Sequence, residues 1–453
     1  MFESTPYARL DDNVLALLGT VESADLYLDR CQVDTPHALV SKVWALINER
    51  RRHAGRVVDF GSGDARFAFA GSYASYEGFE IDRSRYSSVE LPFKAVIKNA
   101  CAFSVDISNA DVCVGNPPYV RNQDLPVGWR QSAAATIERR LGIRISGLAN
   151  AWQYFFLLSL ASTKCDGLVA IVIPFEWVSR PSSSALREYI KRQGWSVNVY
   201  RLSDSTFENV LTTASITIVD KGGDGQWCYF REAPDGNFQP MENPTGDALS
   251  LLPYVRGNSR DVHVKRGLSP GTQQYLVLTE AERARCGLRP GEDVVRCITS
   301  LRSTDGTALR FTMARFLQDY VHAGKKCWLI RTDRGPSVRL QAYLDSVPPA
   351  GRKSSTCANR DTWWKFNMPE VPKAFIASGF RDTPKVVINE VGALAVGSVY
   401  GIYAPSKAAG ERAVRLLRAV NFAGRVVSHA NGLRKLEINQ INSLLAEKRG
   451  HGH

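Results

Sequence analysis

No Cys-x-x-Cys pair occurs among the nine cysteines of this 453-residue chain. Thiols scattered in this way give neither a zinc ribbon nor a disulfide framework, so they read as reduced side chains of a cytoplasmic protein, and no metal site is expected. The opening stretch, Met1 to Leu10, lacks the basic and apolar pattern of a secretion signal. No uninterrupted apolar run is long enough to span a bilayer, so no membrane partner is expected. Internal repeats are missing as well. Acidic residues are in deficit: 45 Asp and Glu stand against 57 Lys and Arg, a net charge of +12. A surplus of that size suits a polyanionic partner, most simply nucleic acid; a generic basic surface is the plain alternative. What is present in ordinary measure is apolar side chains, 44% of the chain, enough for a sizeable core. The length predicts two or three domains.

The richest stretch is Asp111-Val112-Cys113-Val114-Gly115-Asn116-Pro117-Pro118-Tyr119. Asp111 to Gly115 reads as a short buried strand, and Asn116 to Tyr119 as the loop at its carboxyl end, where ligands sit in open α/β sheets. The two prolines fix their φ angles and remove two N–H donors. The tip is therefore rich in acceptors, namely the Asn116 side-chain oxygen and the carbonyls of Asn116 and Pro117, with the flat face of Tyr119 beside them. That chemistry suits an exocyclic NH2 group on a planar ring, whose nitrogen can then attack an electrophilic methyl. The alternative is a stiff turn with Tyr119 packed in a core.

Ahead of it, Asp34-Thr35-Pro36 opens a helix to about Arg51, with Asp34 or Thr35 as N-cap, Pro36 in the first turn, and Leu39, Val40, Val43, Trp44 and Ile47 on one face. Its N-terminus could hold a carboxylate, or be an ordinary capped end. Val57 to Phe67 reads as a strand, a glycine turn at Gly61 and Gly63, and a helix start. The third glycine of a dinucleotide fingerprint is missing near Arg66, which disfavours NAD and leaves room for a nucleoside without a pyrophosphate. A second strand, Tyr76 to Ile81, ends in Glu80-Ile81-Asp82, an acid about 20 residues past the turn and placed for ribose hydroxyls; Glu80 is preferred over Asp82. Phe103 to Ile107 reads as the end of a third strand, with Asp106 placed to read an amino group, or as a solvated acid.

Arg121 to Ser146, with Arg139, Arg140 and Arg144, reads as a lid, a flank of a nucleic-acid cleft, or a solvated loop and helix. Asn150 to Thr163 is a strongly apolar helix, and Leu168 to Pro174 a central strand. Leu186 to Arg192 reads as a helix, Val197 to Leu202 and Ser215 to Val219 as a hairpin closing the sheet, with Phe207 in the connection. The expected organisation is an N-terminal segment at 1–33, a catalytic domain at 34–222, a linker at 223–250 broken by Gly222-Gly223-Asp224-Gly225, a second domain at 251–445 and a tail at 446–453, disordered from Arg449 to His453. The second domain loses the βα rhythm. It interleaves basic and aromatic residues, among them Arg352, Lys353, Arg360, Trp363-Trp364-Lys365-Phe366, Arg381, Lys407, Arg412, Arg415 and Arg418. This suits a nucleic-acid surface, while for Trp363 a place in the core is an equal alternative.

In order and spacing, a Thr-Pro helix start, a glycine turn, an acid after strand two, an acid after strand three and Asn-Pro-Pro-Tyr after strand four resemble the S-adenosylmethionine-dependent amino-methyltransferases of DNA, in the gamma motif order. The likeness runs in register from Asp34 to about Lys221. It continues through Cys357 to Tyr403, where Arg360-Asp361-Thr362-Trp363-Trp364 and Val387-Ile388-Asn389 look like the C-terminal part of Eco57I-like modification methylases. The resemblance implies a Rossmann-like class I methyltransferase sheet followed by an α/β target recognition domain, S-adenosylmethionine as cofactor, double-stranded DNA as partner, and adenine N6 as methyl acceptor. A separate restriction endonuclease is a further partner it leaves room for. It implies that Thr35 and its helix end hold the methionine carboxylate, that Asp59, Phe60, Gly61 and Gly63 line the methionine and ribose, that Glu80 binds the ribose hydroxyls, and that Asp106 reads the cofactor adenine. It implies that Asn116, which it also places among the cofactor-binding residues, and Pro117 accept from the target amine, that Tyr119 stacks on the target ring, and that Phe207 covers its other face. Asp59 departs from several relatives, which carry Glu, but keeps the carboxylate. Methylation of N4-cytosine, RNA adenine or a glutamine amide uses similar chemistry and stays open; so does a non-catalytic DNA-binding subunit, against which the intact Asn-Pro-Pro-Tyr speaks.

Overall fold

The computed structural model describes residues 34–207, 213–244, 261–426, 428–430 and 433–450. The expected N-terminal segment at 1–33 lies outside them, as do parts of the expected linker and tail. The chain divides near Gly246 into two compact units.

The first unit is a nine-stranded sheet: β1 (Ala54–Phe60), β2 (Tyr73–Glu80), β3 (Ala95–Asn99), β4 (Ala110–Gly115), β5 (Thr163–Pro174), β6 (Ser196–Arg201), β7 (Ala214–Asp220), β8 (Trp227–Glu232) and β9 (Phe238–Met241). Their order is β3-β2-β1-β4-β5-β7-β6-β8-β9. From β3 to β5 all neighbours are parallel, while β7 lies antiparallel between β5 and β6. Strands that bury both faces need continuous apolar runs. All six residues of β4 are buried, as are the last eight of β5.

Three helices position the site. In α1 (His37–Asn48), Leu39, Val40, Val43, Trp44 and Ile47 are buried on one face, as the periodicity predicts. Helix α2 (Val127–Leu141) follows the Asn-Pro-Pro-Tyr loop, and α3 (Ala151–Ser162) precedes β5. Helix α3 is apolar all round because it is buried all round, with only Ala161 partly exposed. Its start carries a capping box between Asn150 and Gln153. Within the stretch read as lid, flank or solvated loop and helix, α2 packs one face, burying Trp129, Ala133, Thr136 and Ile137, and leaves the other, with Arg139, exposed. Trp129 is buried against Phe103, Tyr154 and Phe155.

The sheet does not close at β6 and β7. It continues through β8 and β9, which fall in the expected linker at 223–250. The glycine run is a tight turn rather than a domain break: Gly225 takes φ of +84°, and Ser196 Oγ donates to Asp224 at 2.8 Å. Beyond it, Phe230 and Phe238 pack on Tyr200, with ring centroids 4.7 and 4.9 Å away. That aromatic cluster adds the two strands to the sheet.

The second unit is mixed α/β. A five-stranded sheet (His263–Lys265, Val399–Tyr403, Ala374–Ala377, Val386–Asn389, Arg310–Phe311) accompanies a four-stranded one (Val277–Leu278, Trp328–Ile330, Val294–Ile298, Leu394–Ala395). In one of its core clusters the largest fully buried side chains are Phe311, Phe316, Tyr320 and Phe375. Trp363, Trp364 and Phe366 pack against this core. Arg352 lies over Trp363 at 5.6 Å and Arg360 over Phe366 at 5.4 Å. Much of the basic–aromatic pattern is therefore used up inside the unit as cation–π pairs. Arg418, on the helix Lys407–Ala419, is likewise occupied. Its guanidinium donates to the carbonyls of Ala308, Val386, Gly306 and Thr307 at 2.9 to 3.2 Å. Arg418→Ala is expected to destabilise the unit by about 1–3 kcal/mol, read as a lowered Tm. Among the described residues no helix is long and apolar enough to cross a membrane.

Candidate active site

The carboxyl ends of β1 and β4 meet. The Asp59 side chain of β1 reaches the backbone of β4 so closely that a Cβ on Gly115 would lie 2.5 Å from Asp59 Oδ1. A residue with a side chain before Asn116 would push Asp59 aside. The glycine turn after β1 lies against the second proline, since a Cβ on Gly61 would sit 3.8 Å from Pro118 Cδ and 3.6 Å from Phe155. Gly61 and Gly63 take φ of +79° and +56°, and Ala65 follows at +61°, a conformation that glycine adopts without strain.

Asp59 is 1% exposed. Its Oδ2 accepts from Tyr76 O–H at 2.6 Å, and its Oδ1 has no partner. Burial, with Glu80 and Asp64 nearby, pushes its pKa up to about 7 against the opposing pull of the Tyr76 hydrogen bond. A carboxylate in that state lacks a cation. Phe60 is buried and stacks on Phe79 at 5.6 Å. Glu80 accepts from Gly63 N at 2.8 Å and from Asp82 N at 2.9 Å. Burial raises its pKa, and these two N–H donors hold it down. Asp82 is turned elsewhere. Its Oδ1 caps the following turn, accepting from Ser84 N and Oγ at 3.0 and 2.6 Å. Of the two acids, Glu80 faces the glycine turn.

Thr35 is brought to the same place, though not as a helix cap. Pro36 occupies the N-cap position of α1 with no side-chain cap, and Asp34 pairs instead with Arg66 and Arg85. Thr35 is 8% exposed. Its Oγ1 accepts from Asn116 Nδ2 at 3.1 Å. The amide nitrogen of Asn116 is thereby occupied, while its Oδ1 is buried without a partner. Pro117 is buried. The Tyr119 phenol is also buried with no partner, and burial raises its pKa. Buried polar atoms are nearly always satisfied. Asp59 Oδ1, Ser62 Oγ, Asn116 Oδ1 and Tyr119 O–H, all orphaned where β1 and β4 end, therefore mark a place built for a ligand.

Two expected residues are not brought to this place. The third strand is Ala95–Asn99, and Phe103 to Ile107 is not a strand. Phe103 is pinned by Trp129 and Phe155, and the chain turns at Cys101 to Ser104. The Asp106 carboxylate is 92% exposed and 3.9 Å from Arg140. Arg140 in turn donates to the Ala161 carbonyl, in the last turn of α3 before β5 begins. Asp106 thus sits at the amino-terminal end of the parallel strands, opposite Asn116. At the carboxyl end of β3 stands Asn99, whose amide donates to the carbonyls of Glu80 and Ile81 at 3.0 and 2.9 Å. Phe207 is 8% exposed and belongs to a core cluster with Leu202 and Ala214, so it offers no open face; residues 208–212 lie outside the described ones.

Three residues at the site carried no signal in the sequence. Tyr76 orients Asp59. Arg66, where a third glycine is missing, donates to the Thr35 carbonyl at 2.8 Å and to Asp64 at 2.6 Å, tying the glycine turn to the start of α1. Asn99 fixes the loop after β2.

A mostly parallel sheet with β7 antiparallel between β5 and β6, a glycine turn after β1 and Asn-Pro-Pro-Tyr after β4 define a class I methyltransferase fold. The family model described as Eco57I restriction-modification methylase matches residues 82–207. The one described as Type II methyltransferase M.Eco57I, C-terminal domain, matches residues 249–425. The chain belongs to the Eco57I-like type II modification methylases. Type II methyltransferase M.XamI of Xanthomonas campestris pv. amaranthicola is 21% identical over 361 residues, 73% of this chain and 66% of its own length. Type II methyltransferase M.AccI of Acinetobacter calcoaceticus is 20% identical over 377 residues, 73% of this chain and 68% of its own. This chain thus spans about two thirds of the length of both. In fold it is similar to the Type IIL restriction-modification enzyme MmeI, solved in complex with DNA, with a TM-score of 0.54 at 11% identity over 95% of this chain and 67% of that one.

Proposed function

We propose that this chain is a site-specific DNA methyltransferase that transfers a methyl group from S-adenosylmethionine to adenine N6, as the modification enzyme of a restriction-modification or related defence system. The observation that carries the reading is Asn116. Its amide nitrogen is held by Thr35 at 3.1 Å, and its oxygen is left buried and unpaired. An amine is what that oxygen lacks.

The residues present fit the cofactor. Asp59 Oδ1, unpaired and pushed toward protonation, suits the methionine ammonium. Gly61 and Gly63 allow close backbone approach, and Glu80 suits the ribose hydroxyls. When bound, S-adenosylmethionine supplies an electrophilic sulfonium methyl. The chain supplies position. A target adenine extruded from the duplex costs a few kcal/mol, of which stacking on Tyr119 returns about 1–3 kcal/mol. Asn116 Oδ1 and the Pro117 carbonyl accept the two amino hydrogens, so the nitrogen lone pair is freed from the ring for in-line attack.

Duplex DNA is the proposed partner, with Arg and Asn side chains of the second unit as readers of base edges. Lys407 and Arg412 on the helix Lys407–Ala419 are exposed and, unlike Arg418, have no ion-pair or hydrogen-bond partner among the described residues. Replacing either with Ala should weaken binding to all sequences about equally and lower the slope of log K against log salt by roughly one. An unchanged slope in both variants would remove these side chains from the interface.

Single-molecule sequencing of plasmid DNA from cells expressing the chain tests the whole reading, because it gives the modified base and its context together. N6-methyladenine in one sequence context is the expected result. N4-methylcytosine there would keep the site and change the target.

A further inference from the structure

The hydrogen bond between Thr35 and Asn116 has a direction, and the direction has a use. Thr35 Oγ1 accepts from Asn116 Nδ2 at 3.1 Å. A hydroxyl that accepts still has its own proton to give, and among the described residues no acceptor takes it. At the other end of the amide, Asn116 Oδ1 is buried with no donor. The pair is the middle of a chain open at both ends: at one it offers a proton, at the other a lone pair.

The geometry points to Thr35 as a positioning residue that couples occupancy of the cofactor site to the acceptor state of Asn116. This rests on the methyltransferase reading above and deepens it. A carboxylate is acceptor-only. Once a carboxylate at the α1 entrance takes the Thr35 proton, Thr35 can only accept from Asn116. The amide is then locked with its oxygen toward the target. Without an acceptor for that proton, Thr35 can donate to a turned amide, which would present NH2 to an incoming NH2 and repel it. Arg66 fixes the frame of this switch by holding the Thr35 carbonyl at 2.8 Å. The hydrogen-bond chain runs from target amine to Asn116 to Thr35 to carboxylate, each group donating to the next.

Thr35→Val keeps the shape of the side chain and removes the hydroxyl, while Thr35→Ser keeps the hydroxyl. The measurements are cofactor affinity by calorimetry, kcat at saturating S-adenosylmethionine, and fluorescence of 2-aminopurine placed at the methylated position of the duplex that sequencing identifies. Fluorescence is read with no addition, with S-adenosylhomocysteine, which carries the carboxylate, and with 5′-methylthioadenosine, which does not. In the parent chain, S-adenosylhomocysteine should tighten capture of the extruded base about five- to tenfold and methylthioadenosine should not. In Thr35→Val the enhancement should vanish and kcat at saturation should fall about 10–100-fold, while Thr35→Ser restores both. Thr35→Val should cost nothing further in the Asn116→Ala background. A residue that only holds the cofactor would raise KM and leave kcat at saturation unchanged. That result, or additive losses in the double variant, overturns the coupling and leaves the methyltransferase reading standing. A parent chain that binds the cofactor and methylates no DNA overturns that reading and the coupling with it.

Discussion

Asn116→Ala is expected to bind S-adenosylmethionine as the parent does and to transfer methyl groups on the order of 10²–10³-fold more slowly, as for the loss of one preorganised catalytic hydrogen-bonding group. The separation between binding and rate follows from where the side chain stands. Asn116 contacts Thr35 through its amide nitrogen and offers its oxygen to the target. Asp59, Glu80 and the glycine turn, which bracket the proposed cofactor position, take no hydrogen bond from it. Truncation removes one of two acceptors for the target amine and leaves the other, the Pro117 carbonyl. Some residual activity is therefore expected. Calorimetry with the cofactor and a radiolabelled transfer assay on duplex DNA check the two halves. Parent-level transfer would remove Asn116 from the reaction.

Asp59→Asn should do something less usual and raise stability while abolishing function. Burial lifts the Asp59 pKa from 3.8 to about 7 in the folded chain. The native state therefore binds this proton more tightly than the unfolded state. The stabilisation that this gives is fully present below pH 3.8 and is lost as pH rises through about 7. At pH 8 the ionised, half-paired carboxylate costs the ligand-free protein up to about 4 kcal/mol. An amide does not ionise, and its oxygen still accepts from Tyr76. The Asp59→Asn variant should therefore be the more stable chain at pH 8, with the gap closing toward pH 5. Cofactor affinity should fall about 10²-fold or more, because a buried cation loses its counter-charge. Thermal melts of both chains at pH 5, 6.5 and 8, with and without S-adenosylmethionine, read both effects. In the parent the cofactor should raise Tm more at pH 8 than at pH 6. A variant less stable than its parent at every pH would contradict the account of Asp59.

Much of this site was legible in the residues, for a physical reason. Asn-Pro-Pro-Tyr after an apolar run and two glycines after another are local patterns, and a parallel sheet brings the carboxyl ends of its strands together. Local pattern plus that one rule places Asp59, Gly61, Gly63, Glu80 and Asn116 side by side. It fails where a short apolar pattern has two solutions. Phe103 to Ile107 alternates like a strand, yet Phe103 is buried by Trp129 and Phe155 in a loop, and Asp106 ends at the wrong end of the sheet. Four residues containing three glycines look like a domain break until Phe230 and Phe238 are seen on Tyr200. Side-chain pairs far apart in sequence, Tyr76 with Asp59, Arg66 with Thr35 and Arg352 with Trp363, leave no local trace. The last of these shows why interleaved basic and aromatic residues mislead: stacked on one another, they are as much a folding device as a nucleic-acid surface.

The central claim is that an unpaired, buried amide oxygen in this chain takes an adenine amine. Incubation of the purified chain with methyl-labelled S-adenosylmethionine and unmethylated duplex DNA, followed by digestion to nucleosides and mass spectrometry, tests it most directly. The account predicts label in N6-methyladenine, formed on the order of 10²–10³-fold more slowly with Asn116→Ala. Label confined to N4-methylcytosine, to RNA or to protein, with adenine unmarked, would contradict it.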